Sequence, residues 1–296
     1  MVRASGAPRR LKRGLDDLAM DGLAYGFLGV AGLACVLPII AIVGISFTPM
    51  TELVKAGGFS LIPKSFDPYA YQILLKDAVI PRGFMVSVFL VIVGTSLNLT
   101  LTGLLAYPLS VRELPGRKAF MLFLVFTMMF SGGIVPTFFV VRMTGIMDTV
   151  WAMIVPGLIY ASNVIIMKIF FEQLPLELYE SARMDGAGEF RILWRIALPL
   201  SLPVLATVGL FYGVGHWNQF FEALLYITDP LLKPLQLLVR EMILDANRVD
   251  ANIERVVPIL SLRMAAAVSA CVPVLVVYPF LQRYFVKGLV VGAVKG

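Results

Sequence analysis

The stretch ELYESARMDGAGEFRILWRIALPL, residues 177–200, is a long charged interval between two apolar runs. Residues 177–184 are good helix formers without Gly or Pro, and their apolar positions are four residues apart. Asp185 and Gly186 predict a break, because Asp caps a following helix and Gly tolerates a left-handed turn. A second helix is predicted over 188–197. The stretch therefore predicts a helix-turn-helix on a membrane surface, too short to be stable unless it docks.

The composition identifies an integral membrane protein. Of the 296 residues, 59% are hydrophobic and 15% are charged, whereas soluble domains are about half apolar and a quarter charged. Mean hydropathy is +0.86. The net charge is +6, but the basic residues are divided among short loops and form no stripe, which argues against nucleic acid. Cys35 and Cys271 lie in apolar runs, and the single His216 cannot form a metal site alone.

Hydropathy predicts an all-α polytopic fold with six transmembrane helices, since each apolar run approaches the roughly 20 residues that span a bilayer. The chain divides into a cytoplasmic tail (1–23), a six-span domain (24–285) containing a charged loop (172–202), and a cytoplasmic C-terminal tail (286–296). Most Lys and Arg fall in the loops placed inside, as the positive-inside rule requires. The predicted spans are 24–47, 84–111, 119–141, 150–171, 203–226 and 258–285.

The third span should be broken. Ser131, Gly132 and Gly133 interrupt it, and Pro136 follows. Non-helical backbone at membrane depth is tolerated only where protein or a water-filled cavity satisfies its polar groups. The break therefore predicts a cavity or a protein contact at this point.

Several stretches resemble one family of transport proteins. Residues 130–171, 216–230 and the ending LQRYFVKGLVVGAVKG are similar to MalG-type permease subunits, and especially to their LplC-like relatives. Ser181 stands where the family usually has Ala. The alternative interpretation of residues 177–200 is an ordinary interfacial helix-turn-helix without a partner-specific role. The residues at the spacing of the "EAA" loop of bacterial ABC importer permeases are Glu180, Ala182, Asp185, Gly186, Ala187, Ile196, Leu198 and Pro199.

This resemblance implies a permease subunit of an ATP-driven oligosaccharide importer in the bacterial inner membrane. Such subunits pair with a MalF-like permease, bind an ATPase dimer that holds ATP and Mg, and receive substrate from an extracytoplasmic solute-binding protein. LplC-like members are associated with oligosaccharides that include uronate-containing ones, such as aldouronate, with alginate a neighbour. The C-terminal residues 282–296 would reach into the ATPase. The resemblance also implies that loop 172–202 is the coupling loop, which docks on the ATPase. The implied ATPase-coupling residues are Glu180, Ser181, Ala182, Asp185, Gly186 and Ala187.

The fifth span carries a polar stripe. In one unbroken helix, Asn218, Glu222, Gln219 and His216 would lie within about 160°. Such a stripe should face a cavity or a partner helix, and sugar hydroxyls need donors, acceptors and aromatic faces. Hydrogen bonds to neighbouring helices or to the second permease are the alternative, especially for single Asn residues. The predicted pathway residues are His216, Asn218, Gln219, Glu222, Tyr212, Asn163 and Asn98.

The chain has none of the sequence motifs of an ATPase or a hydrolase. G-x-x-x-x-G-K-[ST], H-E-x-x-H and G-x-S-x-G are all missing from its sequence. We therefore expect a non-enzymatic chain without a cofactor of its own, whose partner hydrolyses ATP. The alternatives are a permease for another solute (a neutral sugar, an amino acid or a peptide) and a stand-alone secondary transporter. Glu222 would repel an acidic sugar unless it is paired.

Overall fold

The computed structural model describes residues 15–76, 78–244 and 259–293, and every regular element in these ranges is helical. The helices are α1 (Leu15–Ser46), α2 (Met50–Lys55), α3 (Tyr69–Lys76), α4 (Val79–Phe89), α5 (Thr95–Ser110), α6 (Arg117–Met129), α7 (Ile134–Met143), α8 (Trp151–Ile154), α9 (Ala161–Glu172), α10 (Leu176–Met184), α11 (Glu189–Ile192), α12 (Leu198–Leu200), α13 (Leu202–Trp217), α14 (Phe221–Tyr226), α15 (Leu235–Leu244) and α16 (Ile259–Ala293).

Up to six segments are long and apolar enough to span a membrane, if each pair of helices joined at a bend counts as one span. Three are single helical stretches, Met20–Ser46, Val79–Ser110 and Leu260–Val277. In Val79–Ser110 a π-helical turn, Leu90–Gly94, joins α4 to α5. The other three are pairs bent at short breaks: α6 with α7 by 113°, Trp151–Gly157 with α9 by 55°, and Glu189–Leu200 with α13 by 85°. The predicted number of six spans therefore agrees with the structure.

The bend of 85° separates the coupling loop from the fifth span. Residues 189–200 continue α11 through a π-helical turn, Leu193–Ala197, into α12, and α13 starts at Leu202. We therefore count α13, with 16 residues and a length of about 24 Å, as the fifth span. The residues before Ser201 form the second helix of the coupling loop.

The prediction of one unbroken helix over 203–226 was wrong. Helix α13 ends at Trp217, and α14 starts only at Phe221. Asn218 is the C-terminal cap of α13: its backbone N–H makes a helical hydrogen bond to the carbonyl oxygen of Val214, and its side-chain Nδ2 donates to the same oxygen, each at 3.0 Å. The angular stripe deduced from a continuous helix therefore does not exist as such.

The helix ends and the predicted domain boundaries do not coincide. Helix α1 includes Leu15, within the predicted N-terminal tail, and α16 runs to Ala293, within the predicted C-terminal tail. Residues 1–14 and 294–296 of those tails lie outside the described residues, as does 245–258 of the loop predicted between spans five and six. The division into tails and a six-span domain stays a prediction.

We call the end of the structure that contains the coupling loop the loop end. Helix α5 is central to the packing at this end. It packs against α9, α13 and α6. Buried side chains of α5, α9 and α13 join those of the coupling loop in one apolar cluster that includes Tyr107, Phe171, Ile192 and Val208. The opposite end has a second cluster, in which α3, α15 and α16 surround Trp217. The coupling loop is thus packed directly on the spanning helices.

Candidate functional site

Three interrupted spans meet at one cavity of about 450 Å³. The break between α6 and α7, the break before α9 and the break after α13 all contribute to its lining. Its lining residues are Ser131, Gly133, Ile134, Thr137, Met153, Pro156, Gly157, Tyr160, Tyr212, Gly215, His216, Gln219, Phe221, Glu222, Leu225 and Tyr226.

Hydrogen bonds within the first break satisfy the backbone N–H and the carbonyl oxygen of Gly133. Gly133 has φ of +84°, a conformation that favours glycine. Its N–H donates to Ser131 Oγ at 3.2 Å, and Thr137 Oγ1 donates to its carbonyl oxygen at 2.8 Å. The predicted interruption at residues 131–133 is confirmed, and it lines a cavity.

The second break is held by α5. Helix α9 begins at Ala161, after the short Val155–Gly157 turn. Asn98 Nδ2 donates to the carbonyl oxygens of Gly157 and Leu158 at 2.7 and 2.8 Å. Asn98 is fully buried. It therefore stabilises non-helical backbone from behind the cavity wall and does not line the cavity.

The third break is held by a hydrogen-bond network of Asn98, His216 and Gln219. His216 Nε2 lies 2.8 Å from Asn98 Oδ1, and its Nδ1 lies 3.2 Å from Gln219 Oε1. Gln219 Nε2 donates to the carbonyl oxygen of Met153 at 2.6 Å. The network therefore ties α5, the second break and the third break together.

Gly94 makes room for this network. A Cβ at Gly94 would lie 2.5 Å from His216 Nε2. Because real Cβ atoms do not approach this closely, either the imidazole or the π-helical turn would have to move. The close approach of α13 to this turn therefore depends on the missing side chain.

A second chain of contacts reaches the cavity from α5. Thr102 Oγ1 and Tyr212 OH lie 2.8 Å apart, and the backbone N–H of Tyr160 donates to Tyr212 OH at 3.2 Å. Tyr160 and Tyr212 also pack ring against ring, with centroids 5.8 Å apart. Thr102 is fully buried, and both tyrosines line the cavity. Helix α5 therefore contacts the cavity wall at two points, Asn98 and Thr102.

The structure separates the predicted pathway residues. Tyr212, His216, Gln219 and Glu222 line the cavity. Asn218 is exposed and bonds only its own helix among the described contacts. Asn163 is buried away from the lining, and Asn98 lies behind it.

Sequence reasoning missed part of the lining. Tyr160, Thr137 and Phe221 line the cavity but were not among the predicted pathway residues. The Pro156–Gly157 pair is a turn signal that could have indicated the break next to Tyr160. Phe221 reaches the cavity because the chain changes direction after Trp217.

The coupling loop is a helix-turn-helix, as predicted. Helices α10 and α11 flank the turn, and Gly186 has φ of +77°. Asp185 ends α10, and Gly188 precedes α11. The prediction that Asp185 caps the second helix was therefore wrong, because three residues, 186–188, separate it from that helix.

The predicted ATPase-coupling residues point in two directions. Glu180, Ser181, Asp185 and Gly186 are exposed. Ala187 is half-buried and packs against the apolar cluster. Ala182 is buried in that cluster, so its methyl group contacts this chain and leaves no surface for direct docking.

The loop is attached to α5 by a polar contact that the sequence did not indicate. Tyr107 OH donates to Glu189 Oε2 at 2.6 Å, and Arg183 Nε donates to Glu189 Oε1 at 2.9 Å. The hydrogen bond from the Tyr107 hydroxyl is the main cause that lowers the pKa of the Glu189 carboxyl; partial burial opposes it, and Arg183 lowers the pKa further. One carboxylate thus joins both loop helices to the end of α5.

A second ionic cluster closes the same end. Glu172 forms ion pairs with Arg117 and with Lys168, the latter at 2.8 Å. Arg117 Nε also donates to the carbonyl oxygen of Leu109 at 2.8 Å. These contacts connect the ends of α5, α6 and α9.

Relatives of the chain are known in Bacillus subtilis (strain 168). The polygalacturonan/rhamnogalacturonan transport system permease protein YtcP is 42% identical over 287 residues, which cover 95% of this chain and 100% of YtcP. Protein LplC is 44% identical over 274 residues, 91% of this chain and 92% of LplC.

A solved structure shares the fold almost throughout. One chain of a bacterial ABC transporter involved in the import of the acidic polysaccharide alginate superposes with a TM-score of 0.87. The match is 28% identical and covers 93% of this chain and 99% of that chain. A model of the family described as "binding-protein-dependent transport system inner membrane component" matches residues 100–291. The chain therefore belongs to the family of binding-protein-dependent transport system inner membrane components.

Proposed function

We propose that this chain is the permease subunit of an ATP-driven oligosaccharide importer and that the cavity at the three helix breaks is part of its substrate pathway. The convergence of three interrupted spans on one cavity is the observation that carries this proposal. Broken helices are costly in lipid and are tolerated where they line a cavity. Intramembrane sites of transporters are typically built from such discontinuous helices.

The lining suits a sugar. Tyr160, Tyr212, Phe221 and Tyr226 supply aromatic rings, and Gln219 and other side chains supply hydrogen-bonding groups. Ligand sites of this kind combine apolar walls with a few polar groups, and a volume of about 450 Å³ lies within their usual range of about 300 to 1,000 Å³. The cavity is open on one side, where we place the second, MalF-like permease.

We propose more specifically that the substrate is an acidic, uronate-containing oligosaccharide. YtcP is named for polygalacturonan and rhamnogalacturonan transport, and the structural neighbour imports alginate. Glu222 is the residue that speaks against an acidic sugar, because two carboxylates in one cavity repel each other. A neutral oligosaccharide is therefore the competing cargo.

The coupling loop is the proposed docking site for the ATPase dimer that would bind ATP and Mg. Glu180 and Gly186 are exposed there, and Met184 between them is 89% exposed. A large apolar side chain beside charged groups is typical of a surface that a partner covers. We further propose that the loop and both termini lie in the cytoplasm and that a solute-binding protein docks on the opposite side.

The cavity can be tested with a matched pair of variants. We would co-express the chain with its partner permease and ATPase, reconstitute the complex in proteoliposomes, and measure ATP-dependent uptake of oligogalacturonate, alginate and neutral arabino-oligosaccharides delivered by the cognate binding protein. Phe221→Ala should lower uptake several-fold. Leu224→Ala is the control, because Leu224 lies on the same short helix with similar exposure, 43% against 40%, but not on the cavity.

Two results would contradict the proposal. Equal uptake by the Phe221→Ala and Leu224→Ala complexes would remove the cavity from the pathway. Uptake without ATP or an ATPase subunit would indicate a secondary transporter. Glu222→Gln should leave the uptake of an acidic oligosaccharide unchanged or increase it. A preference of the parent complex for the neutral oligosaccharides would overturn only the proposal of an acidic substrate.

A further inference from the structure

Helix α5 has polar contacts with the cavity wall near one end and with the coupling loop near the other. Asn98 and Thr102 face the cavity wall, and Tyr107 lies at the coupling loop. Asn98 and Tyr107 are nine residues apart in one helix, a distance of about 13.5 Å. An α-helix of this length transmits displacement well, because its intrahelical hydrogen bonds resist stretching.

The contact at the loop end is placed to receive movement of the loop. Glu189 bonds Tyr107 of α5 with one carboxylate oxygen and Arg183 of α10 with the other. Its side chain is 57% exposed, so it lies at the surface where a partner would bind. Displacing either loop helix would therefore pull on, or release, the end of α5.

The contacts at the cavity end fix the backbone of the wall. Asn98 binds the carbonyl oxygens of Gly157 and Leu158, and Thr102 acts through Tyr212 on the N–H of Tyr160. These residues belong to the second break, where helical hydrogen bonds do not hold the chain. A shift of α5 would therefore move this wall directly.

We propose that α5 transmits movement of the coupling loop to the cavity, with Tyr107 and Glu189 as positioning residues at the loop end and Asn98 and Thr102 as positioning residues at the cavity end. The inference rests on the proposed function, because it presupposes that an ATPase moves the loop. It adds a specific route through this chain and the residues that form it.

The test uses the reconstituted complex with its partner permease and ATPase. Cys35 and Cys271 are first replaced by alanine, and Ser131→Cys then serves as a probe in the cavity wall. Ser131 lies on the first break, away from the contacts of α5, so the variants do not touch the probe. The measurement is the rate of maleimide labelling of this cysteine with and without ATP and vanadate, together with the rate of ATP hydrolysis.

In the parent complex, nucleotide should change the labelling rate by about fivefold or more, the range of ordinary coupling between sites. Tyr107→Phe, Glu189→Gln and Thr102→Val should each reduce this change to less than about twofold while ATP hydrolysis continues. A merely structural role would lower assembly or hydrolysis instead. The double variant Tyr107→Phe/Thr102→Val should be no worse than the stronger single variant, because both lesions interrupt one route.

Two controls match the variants. Tyr179→Phe removes a neighbouring loop hydroxyl that does not bond Glu189, and Thr100→Val removes a hydroxyl on the exposed side of α5 that bonds its own helix. Both should keep the full response. A full response in Tyr107→Phe and Glu189→Gln would overturn the inference and leave the proposed function standing. No response in the parent complex would overturn the proposed function and the inference with it.

Discussion

The two ends of α5 are held by different kinds of contact. At the cavity end, Asn98 and Thr102 are fully buried and make uncharged hydrogen bonds to backbone groups and to other side chains. At the loop end, Tyr107 meets an exposed carboxylate that is paired with an exposed Arg183. Breaking a buried hydrogen bond leaves an unsatisfied group at a cost of about 1 to 3 kcal/mol, whereas exposed ion pairs contribute about 0 to 1 kcal/mol.

This difference suits the two ends to different work. The contacts at the cavity end favour a single arrangement, because any other arrangement would leave buried polar groups without hydrogen-bond partners. The Arg183–Glu189 ion pair at the loop end can be broken and remade at little cost, since water solvates the separated charges. A contact that a partner must shift in each cycle is best made of the second kind, and a wall that must keep its shape is best made of the first.

The largest expected effect is at Gly94, where an added methyl group would break the buried end. We expect Gly94→Ala to destabilise the chain by about 3 kcal/mol, since overpacking costs about 1 to 3 kcal/mol and displacing His216 leaves buried groups unpaired. The measurement is the melting temperature of the purified protein in detergent. Gly103→Ala is the control, because its Cβ would meet Leu198 Cδ2 at an ordinary 3.5 Å. Equal melting temperatures for the two variants would contradict the close contact at His216.

The next effect concerns two buried asparagines of the spanning helices. Asn98→Leu should cost about 2 kcal/mol, because it removes the partners of the Gly157 and Leu158 carbonyl oxygens and of His216. Asn163→Leu should cost less or stabilise the protein, since no described residue hydrogen-bonds its side chain. Both variants would be compared by thermal denaturation in the same detergent. A larger loss for Asn163→Leu would show that Asn98 is not the residue that holds the second break.

The parts of this arrangement that local chemistry determines could be predicted from the sequence. The turn at Gly186 and the break at Gly133 both need positive φ, and glycine is the residue that adopts it cheaply. The coupling loop also has helix formers on each side of its turn. The position of its turn therefore follows from short-range preferences, although the stability of its short helices depends on their packing against the spanning helices.

The third break could not be predicted in this way. Residues 218–220 include no Gly or Pro, and the helical pattern continues through them. The interruption accompanies contacts far along the chain, such as that of Gln219 with the carbonyl oxygen of Met153, 66 residues away. Likewise, the spacing of Ala182 indicated an apolar face but not that this chain's own helices cover it. Tertiary contacts of this kind leave no local signal.

A small effect on stability is expected at the loop end. Glu189→Gln should cost less than about 1 kcal/mol, because its ion pair with Arg183 is exposed to water and the amide oxygen of Gln can still accept the hydrogen bond from the part-buried Tyr107 hydroxyl. The pKa of Glu189 in the folded protein is lower than the ordinary value of about 4.3. The ionised carboxylate therefore contributes to folding stability at neutral pH, and this contribution is lost as the pH falls below about 4.3 and through the lowered pKa. The difference in melting temperature between parent and variant should therefore disappear in acid. A difference that grows in acid would contradict the contact.

The smallest effect is expected at Asn218, which follows the last residue of α13. Its side chain is exposed and donates to the carbonyl oxygen of Val214, which already accepts the backbone N–H of the same residue. Asn218→Ala should therefore change the free energy of unfolding by less than about 0.5 kcal/mol, as exposed substitutions usually do. His216→Ala, two residues earlier, provides the contrast, because it removes the centre of a buried network. Melting temperatures of the isolated chain would measure both. If Asn218→Ala keeps the melting temperature but lowers uptake by the assembled complex several-fold, its side chain faces the substrate or the second permease, and the pathway extends beyond the cavity formed by this chain.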